Sequence, residues 1–304
     1  MITIEALTKT YGDRRAVDNL SFTVQPGLVT GFVGPNGSGK STTMRMMVGL
    51  TRPDNGNVHY NGTPYHHLKR PISNIGAALD ASAHPGRTAR NHLRTMCAAS
   101  ALPRSRADEV LAEVGITSVA NQRVGGFSLG MRQRLALAGA LLGKPETLLL
   151  DEPANGLDPD GIRWLRGYLR DYANRGGAVL VSSHLIAELS LFADELVVIG
   201  AGRLLAAASV DEISSRAHTS VRVDTPQRDQ LVSLLRNQGI NVVNDGAANP
   251  LTVTGTHRAA IAQLALDHQI RLDELVDQRA SLEDLLVDLT HDAVQFTSTW
   301  QKHQ

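Results

Sequence analysis

Residues 34–42 read Gly34-Pro35-Asn36-Gly37-Ser38-Gly39-Lys40-Ser41-Thr42. They match the pattern G-x-x-x-x-G-K-[ST]. The apolar run Val29 to Val33 precedes them as a strand, and Thr42 to Leu50 follows with helical spacing. Glycines accept positive φ and carry no side chain, so successive backbone N–H groups can curl round a phosphate. The N-terminus of the next helix adds the positive end of its dipole. In a loop of this kind Lys40 reaches the β- and γ-phosphates, and the Ser41 hydroxyl ligates Mg2+. A Gly-rich turn with a chance Lys-Ser is the plain alternative, and the strand and helix on either side weigh against it.

A second piece lies further along. Thr147-Leu148-Leu149-Leu150 is an apolar strand that ends in Asp151 and Glu152. An Asp there can hold Mg2+ through its water shell, and the adjacent Glu can polarise an attacking water. Many strands end in acidic residues, so this feature alone is weak. With the Gly-rich loop before it in the chain, it points to hydrolysis of a nucleoside triphosphate.

The rest of the chain agrees with an α/β class. Strands and helices alternate as Thr147–Leu150, Gly161–Asn174, Ala178–Ser182, Leu185–Ala193 and Leu196–Ile199, which implies a mainly parallel sheet covered by helices. Residues 1–25 alternate as strands, and about 85–145 read as mostly helical. From Arg216 the style changes to strand, helix, strand, strand, helix, strand, ending in a helix over Ser281–Leu289. The strands are Ser220–Asp224, Ile240–Asn244, Leu251–Thr254 and Ile270–Leu275. That βαββαβ order is ferredoxin-like. Ser281 with Asp284 resembles a capping box. The expected organisation is a domain over 1–215 and a small α+β domain over 216–304.

Composition narrows the function further. The 304 residues carry 30 Lys+Arg and 30 Asp+Glu, so the chain is not a basic one built for nonspecific nucleic-acid binding. A spanning helix needs roughly 20 consecutive apolar residues, and the best run, Leu135 to Gly143, falls well short. Met1 to Asp18 has scattered charges and no apolar core, unlike a signal peptide. Cys97 is the lone cysteine, so no internal disulfide forms. A cytosolic setting fits these facts. His66-His67 reads as a surface turn, and Asp54, Asp160 and Asp171 read as solvated charges.

Phe127-Ser128-Leu129-Gly130-Met131-Arg132-Gln133-Arg134 resembles the signature motif of ABC ATPases, usually L-S-G-G-Q. Asp151 to Asp158 resembles their Walker B strand and D-loop. Val181-Ser182-Ser183-His184 resembles their switch histidine, and Tyr11 stands where the family places an aromatic that stacks on adenine. All fall in family order between residue 1 and about 215. The resemblance implies a P-loop NTPase fold, an ABC-type nucleotide-binding domain with a helical subdomain. It implies two copies packed head to tail round two ATP molecules with Mg2+. Ser128 and Gly130 of one copy would face the γ-phosphate held by Lys40 of the other. Glu152 would be the general base, His184 would position the attack, and Asp158 would link the sites. Each has a plainer use: Tyr11 as a surface aromatic, His184 at a helix start, Ser128 as a helix N-cap.

Two departures stand out. The family places a Gln after the strand near Ile75, where this chain has Asp80, which is charged, shorter and unable to donate when ionised. Asp80 can still approach the metal through a water. Leu129 and Met131 replace the usual Gly and Gln, and slower turnover is the expectation from Leu129. The Ser128–Arg134 run, Asp80 and the appended tail resemble ATP-binding subunits of bacterial drug and antibiotic exporters of the daunorubicin/bacitracin-resistance type. That resemblance implies a chain held peripherally at the cytoplasmic face of the membrane by a separately encoded multi-span permease, which docks near Gly86–Gly125 and the Asp80 loop. The alternative is a soluble ABC ATPase acting on nucleic acid or ribosomes. It is disfavoured by the short interval Thr42–Phe127, the single ATPase domain and the neutral charge. No nucleic-acid partner is expected, since 216–295 holds no Phe, Tyr or Trp. Phe296 and Trp300 are candidates to anchor the terminus.

Overall fold

The computed structural model describes residues 1–216, 219–244 and 250–279. The chain divides into two compact units, one over Met1–Val210 and one beginning at Asp211.

The first unit opens with β1 (Ile2–Tyr11), β2 (Arg14–Val24) and β3 (Val29–Val33), then α1 (Lys40–Met47). β4 (Asn55–Tyr60), β5 (Thr63–Pro64), α2 (Pro71–Asn74) and β6 (Ile75–Ala78) follow. A helical stretch holds α3 (Ala89–Ala99), α4 (Ser105–Glu113) and α5 (Leu129–Leu141). The chain then runs through β7 (Thr147–Leu150), α6 (Pro159–Asn174), β8 (Ala178–Ser183), α7 (Ile186–Leu189), β9 (Glu195–Gly200) and β10 (Arg203–Ser209).

These strands form two sheets. The larger has the order β10-β9-β3-β8-β7-β6, parallel except for the β10 edge. β3, β7 and β8 are buried along their whole length, which is why they read as unbroken apolar runs rather than alternating ones. The smaller sheet, β2-β1-β4-β5, is antiparallel. One apolar core joins Ile4 and Phe22 of that sheet to Phe32, Leu149 and Leu180 of the larger, with Met44 and Met47 from α1. The Phe22 and Phe32 rings stack at 5.3 Å between centroids. The Tyr60 hydroxyl, buried in this core, donates to the Met47 carbonyl at 2.8 Å.

The helices start and stop for local reasons. Thr88, Ser128 and Asp158 N-cap α3, α5 and α6, each accepting from a backbone N–H three residues on. Arg106 of α4 is buried and donates to the Leu141 and Leu142 carbonyls, capping the C-terminal end of α5. Arg134 of α5 lays its guanidinium 4.0 Å from the ring centroid of Trp164 on α6, and Trp164 stacks with Tyr168.

The structure departs from the sequence expectation in places. The helix expected over Leu185–Ala193 is reduced to Ile186–Leu189. Patterning gives no sign of β4, β5 or β10. Asn55-Gly56-Asn57 is rich in turn residues, yet Asn57 and Val58 pair with β1. Asp54 is not merely solvated: it accepts from Lys9 Nζ and from the Thr10 N–H, both at 2.7 Å.

In the second unit α8 (Val210–Arg216) is followed by β11 (Thr219–Asp224), α9 (Arg228–Asn237) and β12 (Asn241–Asn244). β13 (Leu251–Thr254), α10 (Arg258–Asp267) and β14 (Glu274–Arg279) complete it. Its sheet has the order β12-β13-β11-β14 with every neighbour antiparallel. Leu231, Leu235 and Ile261 of its helices bury against Val221, Val223 and Val253. The last strand starts at Glu274, later than the expected Ile270. Gln269 takes φ 55° and Ile270 N–H bonds the Ala265 carbonyl, so Ile270 closes α10 instead. The expected turn after Asn244, the Ser281–Leu289 helix with its Ser281–Asp284 capping box, and Phe296 and Trp300 lie outside the described residues, Pro250 excepted.

Candidate nucleotide-binding site

The parallel order brings the C-terminal ends of β3, β8 and β7 side by side, with β8 in the middle. Loops leaving such ends meet in a crevice, the usual place for a ligand in an open α/β sheet.

From β3 comes the Gly-rich loop. At Gly34 a Cβ would stand 2.3 Å from the Ile199 carbonyl oxygen. At Gly39, φ is +106° and a Cβ would stand 2.5 Å from the Ala16 carbonyl oxygen. Only glycine satisfies either position. Lys40 is buried, and its ammonium donates to the Gly34 carbonyl at 2.5 Å and the Pro35 carbonyl at 3.2 Å. Burial pulls its pKa down, opposed by the charges of Glu152 and Asp151. The buried Ser38 hydroxyl has no hydrogen-bond partner among the described residues. A buried cation, an unanswered hydroxyl and a glycine cradle fit a phosphate chain.

A cleft of about 410 Å³ opens over this loop, lined by Tyr11, Arg14, Asn36, Lys40, Ser41 and Glu152 among others. Gly37 and Thr42 line it too. Tyr11, at the end of β1, is 51% exposed, with the Lys9 ammonium 5.6 Å from its ring centroid. Arg14 pairs with Tyr11 across the β1–β2 turn and donates to the Gly37 carbonyl at 3.2 Å. Sequence reasoning missed Arg14; a basic residue three positions beyond a candidate stacking aromatic is the signal for it.

The carboxylates leave β7. The Ser182 hydroxyl donates to Asp151 Oδ1 at 2.5 Å and accepts from the Glu152 N–H at 2.8 Å. Glu152 has φ 48°, in the left-handed region that side chains rarely adopt. His184 Nδ1 lies 3.0 Å from Glu152 Oε2. Thus Ser182 ties Asp151 to Glu152, His184 lies against Glu152, and both carboxylates are near enough to act on the charge of Lys40.

Other expected residues stand apart. Asp80 accepts from the Ser82 N–H and hydroxyl, both at 2.9 Å, and does not line the cleft. Ser128 and Asp158 cap their own helices. Gly130 sits beside Gly156 and Leu157, where a Cβ would be 3.2 Å from the Gly156 oxygen. Leu129, 45% exposed, packs over Gly156. Among the described residues, no three His, Cys, Asp or Glu side chains group as a metal site. No helix among them is long and apolar enough to cross a membrane.

Comparison with known proteins agrees with this geometry. Residues 17–155 match the ABC transporter family, and residues 219–283 match a domain of unknown function (DUF8746). The uncharacterized ABC transporter ATP-binding protein YhcH of Bacillus subtilis (strain 168) is 33% identical, over 95% of this chain and 96% of its own. The bacitracin transport ATP-binding protein BcrA of Bacillus licheniformis is 33% identical, over 93% and 95%. The daunorubicin resistance ATP-binding protein DrrA3 of Streptomyces coeruleorubidus is 32% identical, over 96% of each. Among solved structures, the dimeric structure of MJ0796, a bacterial ABC transporter cassette, superposes with a TM-score of 0.64 at 25% identity. It covers 69% of this chain and 99% of that one. A glycine cradle, a buried lysine and paired carboxylates on a parallel sheet, in a chain related end to end to such subunits, place this protein in the ABC transporter family as an ATP-binding subunit and an ATPase.

Proposed function

We propose that this chain powers export of drugs, antibiotics or other hydrophobic compounds through a separate multi-span permease, at the cytoplasmic face of the membrane. Lys40 and Glu152 share one cleft, His184 lies against Glu152, and Ser182 ties Asp151 to it, which supports the hydrolytic part. Similarity along nearly the whole chain to bacitracin-transport and daunorubicin-resistance subunits supports the export part.

In this reading Tyr11 stacks on adenine, and the loop from Gly34 to Thr42, including Pro35 and Asn36, wraps the phosphates. Ser41 and Asp151 hold Mg2+, which neutralises charge on the phosphate oxygens when bound. Glu152 accepts the proton of the attacking water, and His184 positions it. Two copies act head to tail, and the dimeric state of the MJ0796 cassette supports such pairing. Ser128 and Gly130 of one copy then meet the nucleotide on the other, Asp158 links the sites, and the N-terminus of α5 turns its dipole to the anion. Asp80 belongs to the loop between the metal and the permease. The strand order of the second unit supports the ferredoxin-like reading, with docking or dimer contact as its role.

The test is to express tagged Glu152→Gln protein in its native cell, solubilise the membranes gently and identify the captured proteins by mass spectrometry. A multi-span membrane protein in near-equal amount is the expected result. Ribosomes, DNA-bound proteins or no membrane partner would overturn the transport reading in favour of a soluble ATPase.

A further inference from the structure

We propose that Ser182 is a positioning residue for hydrolysis, its buried hydroxyl setting Asp151 and Glu152 relative to each other. The inference rests on the hydrolytic reading of the site above.

Ser182 lies on β8, paired with Phe32 of β3, while its neighbour Val181 pairs with Leu150 of β7. It is fully buried, next to the buried Leu150 and Val181. A hydroxyl in such a place needs partners, and this one serves two. Its proton goes to Asp151 Oδ1 at 2.5 Å, which fixes the plane of that carboxylate. Its oxygen takes the Glu152 N–H at 2.8 Å.

That second bond falls on a strained residue. Glu152 is held at φ 48°, a conformation that persists only where the surroundings over-determine it. Two anchors do so, both from the end of β8. Ser182 holds the Glu152 backbone, and His184, two residues on, holds its carboxylate. Without the hydroxyl the backbone can relax toward ordinary φ and swing the carboxylate off its line. A misplacement of about 1 Å in a reacting group costs on the order of 100-fold in rate. Ser182 touches no reacting atom in this scheme; it acts through the two carboxylates.

Full-length Ser182→Ala, Ser182→Thr, Ser182→Val and Glu152→Gln proteins test this, with steady-state ATPase kinetics and fluorescent-nucleotide binding. Ser182→Ala is expected to lower kcat about 10- to 100-fold. KM for ATP and nucleotide affinity should stay within about threefold, since the phosphate loop is untouched. Ser182→Thr and Ser182→Val have nearly the same shape and differ in the hydroxyl. Thr should turn over at least about tenfold faster than Val, and this comparison holds even where Ala does not fold. In the Glu152→Gln background, adding Ser182→Ala should cost less than it does in wild type, because the part of its effect that runs through Glu152 is already gone.

Equal turnover of Thr and Val, or a Ser182→Ala kcat within about twofold of wild type, would overturn the inference. So would a loss in nucleotide affinity that accounts for the whole effect. If Ser182→Ala is active while Glu152→Gln is silent, this inference alone fails. If Glu152→Gln itself turns over normally, the hydrolytic reading fails and takes the inference with it.

Discussion

His184 Nδ1 stands 3.0 Å from Glu152 Oε2, so the side chain after β8 meets the carboxylate after β7. His184 is 39% and Glu152 23% exposed at the side chain, so water reaches the pair without dispersing it. A base held by an orienting neighbour loses effectiveness when that neighbour goes. His184→Ala should lower kcat for ATP about 100-fold while nucleotide affinity changes only a few-fold. Parallel turnover and binding measurements on the purified chain check both halves.

Lys40 gives a prediction with a pH signature. Burial holds its pKa below the ordinary 10.5, so the folded chain sheds this proton more readily than the unfolded one. Between the lowered value and 10.5 the unfolded state binds more protons, and stability gains from this group as pH rises. Lys40→Met should abolish nucleotide binding, leave nucleotide-free stability within about 1–3 kcal/mol of wild type, the stranded Gly34 carbonyl working against relief of the buried charge, and remove that alkaline gain. Denaturant titrations of both proteins at several pH values above 7, with and without nucleotide, read all three effects.

Gly156 and Leu129 are fitted to each other. Gly156 has φ +76°, and a Cβ there would stand 2.2 Å from Leu129 Cδ2. Gly156→Ala meets both backbone strain and a clash, and should cost about 1–3 kcal/mol. Adding Leu129→Ala removes the two closest contacts, at Cδ2 and Cγ, and leaves the strain with Leu129 Cβ at 2.9 Å, so the double variant should recover about 0.5–1 kcal/mol against additivity. Urea unfolding of the two single variants and the double variant decides it; simple additivity would show that the side chains do not meet.

Tyr60 offers a test of the core. Its hydroxyl donates to the Met47 carbonyl near the end of α1 and is buried, which drives its pKa far above the ordinary range. Tyr60→Phe keeps the ring and strands the carbonyl, at a cost of about 1–3 kcal/mol. A shift of the urea midpoint with unchanged slope is the expected result.

Much of the first unit was legible because its signals are local. The Gly34–Thr42 loop needs its glycines for steric reasons at each position, and the buried strands carry unbroken apolar runs. Tyr11 could be singled out by family order, whereas Arg14 reaches the cleft only through its pairing with Tyr11 across a turn. Ser182 reads as an ordinary strand serine until β8 is seen between β3 and β7. Asp54 looked solvated because its partners Lys9 and Thr10 lie on β1, far away in sequence. After His184 the helical spacing was present in Leu185–Ala193, yet the Ser190 hydroxyl turns back to the Ala187 carbonyl and the helix ends at Leu189. Such features depend on which strand lies beside which, and a linear pattern does not carry that.

The Arg134–Trp164 stack gives the protein an optical reporter of its own. The chain has two tryptophans, Trp164 and Trp300. Trp164 rides on the helix that Asp158 caps, and the guanidinium over its ring belongs to the helix that Ser128 caps. An indole's emission responds to a cation above its face, so any tilt of one helix against the other changes the signal. With Trp300 replaced by Phe, a tilt of α5 against α6 on adding nucleotide would show in the fluorescence of the unlabelled protein.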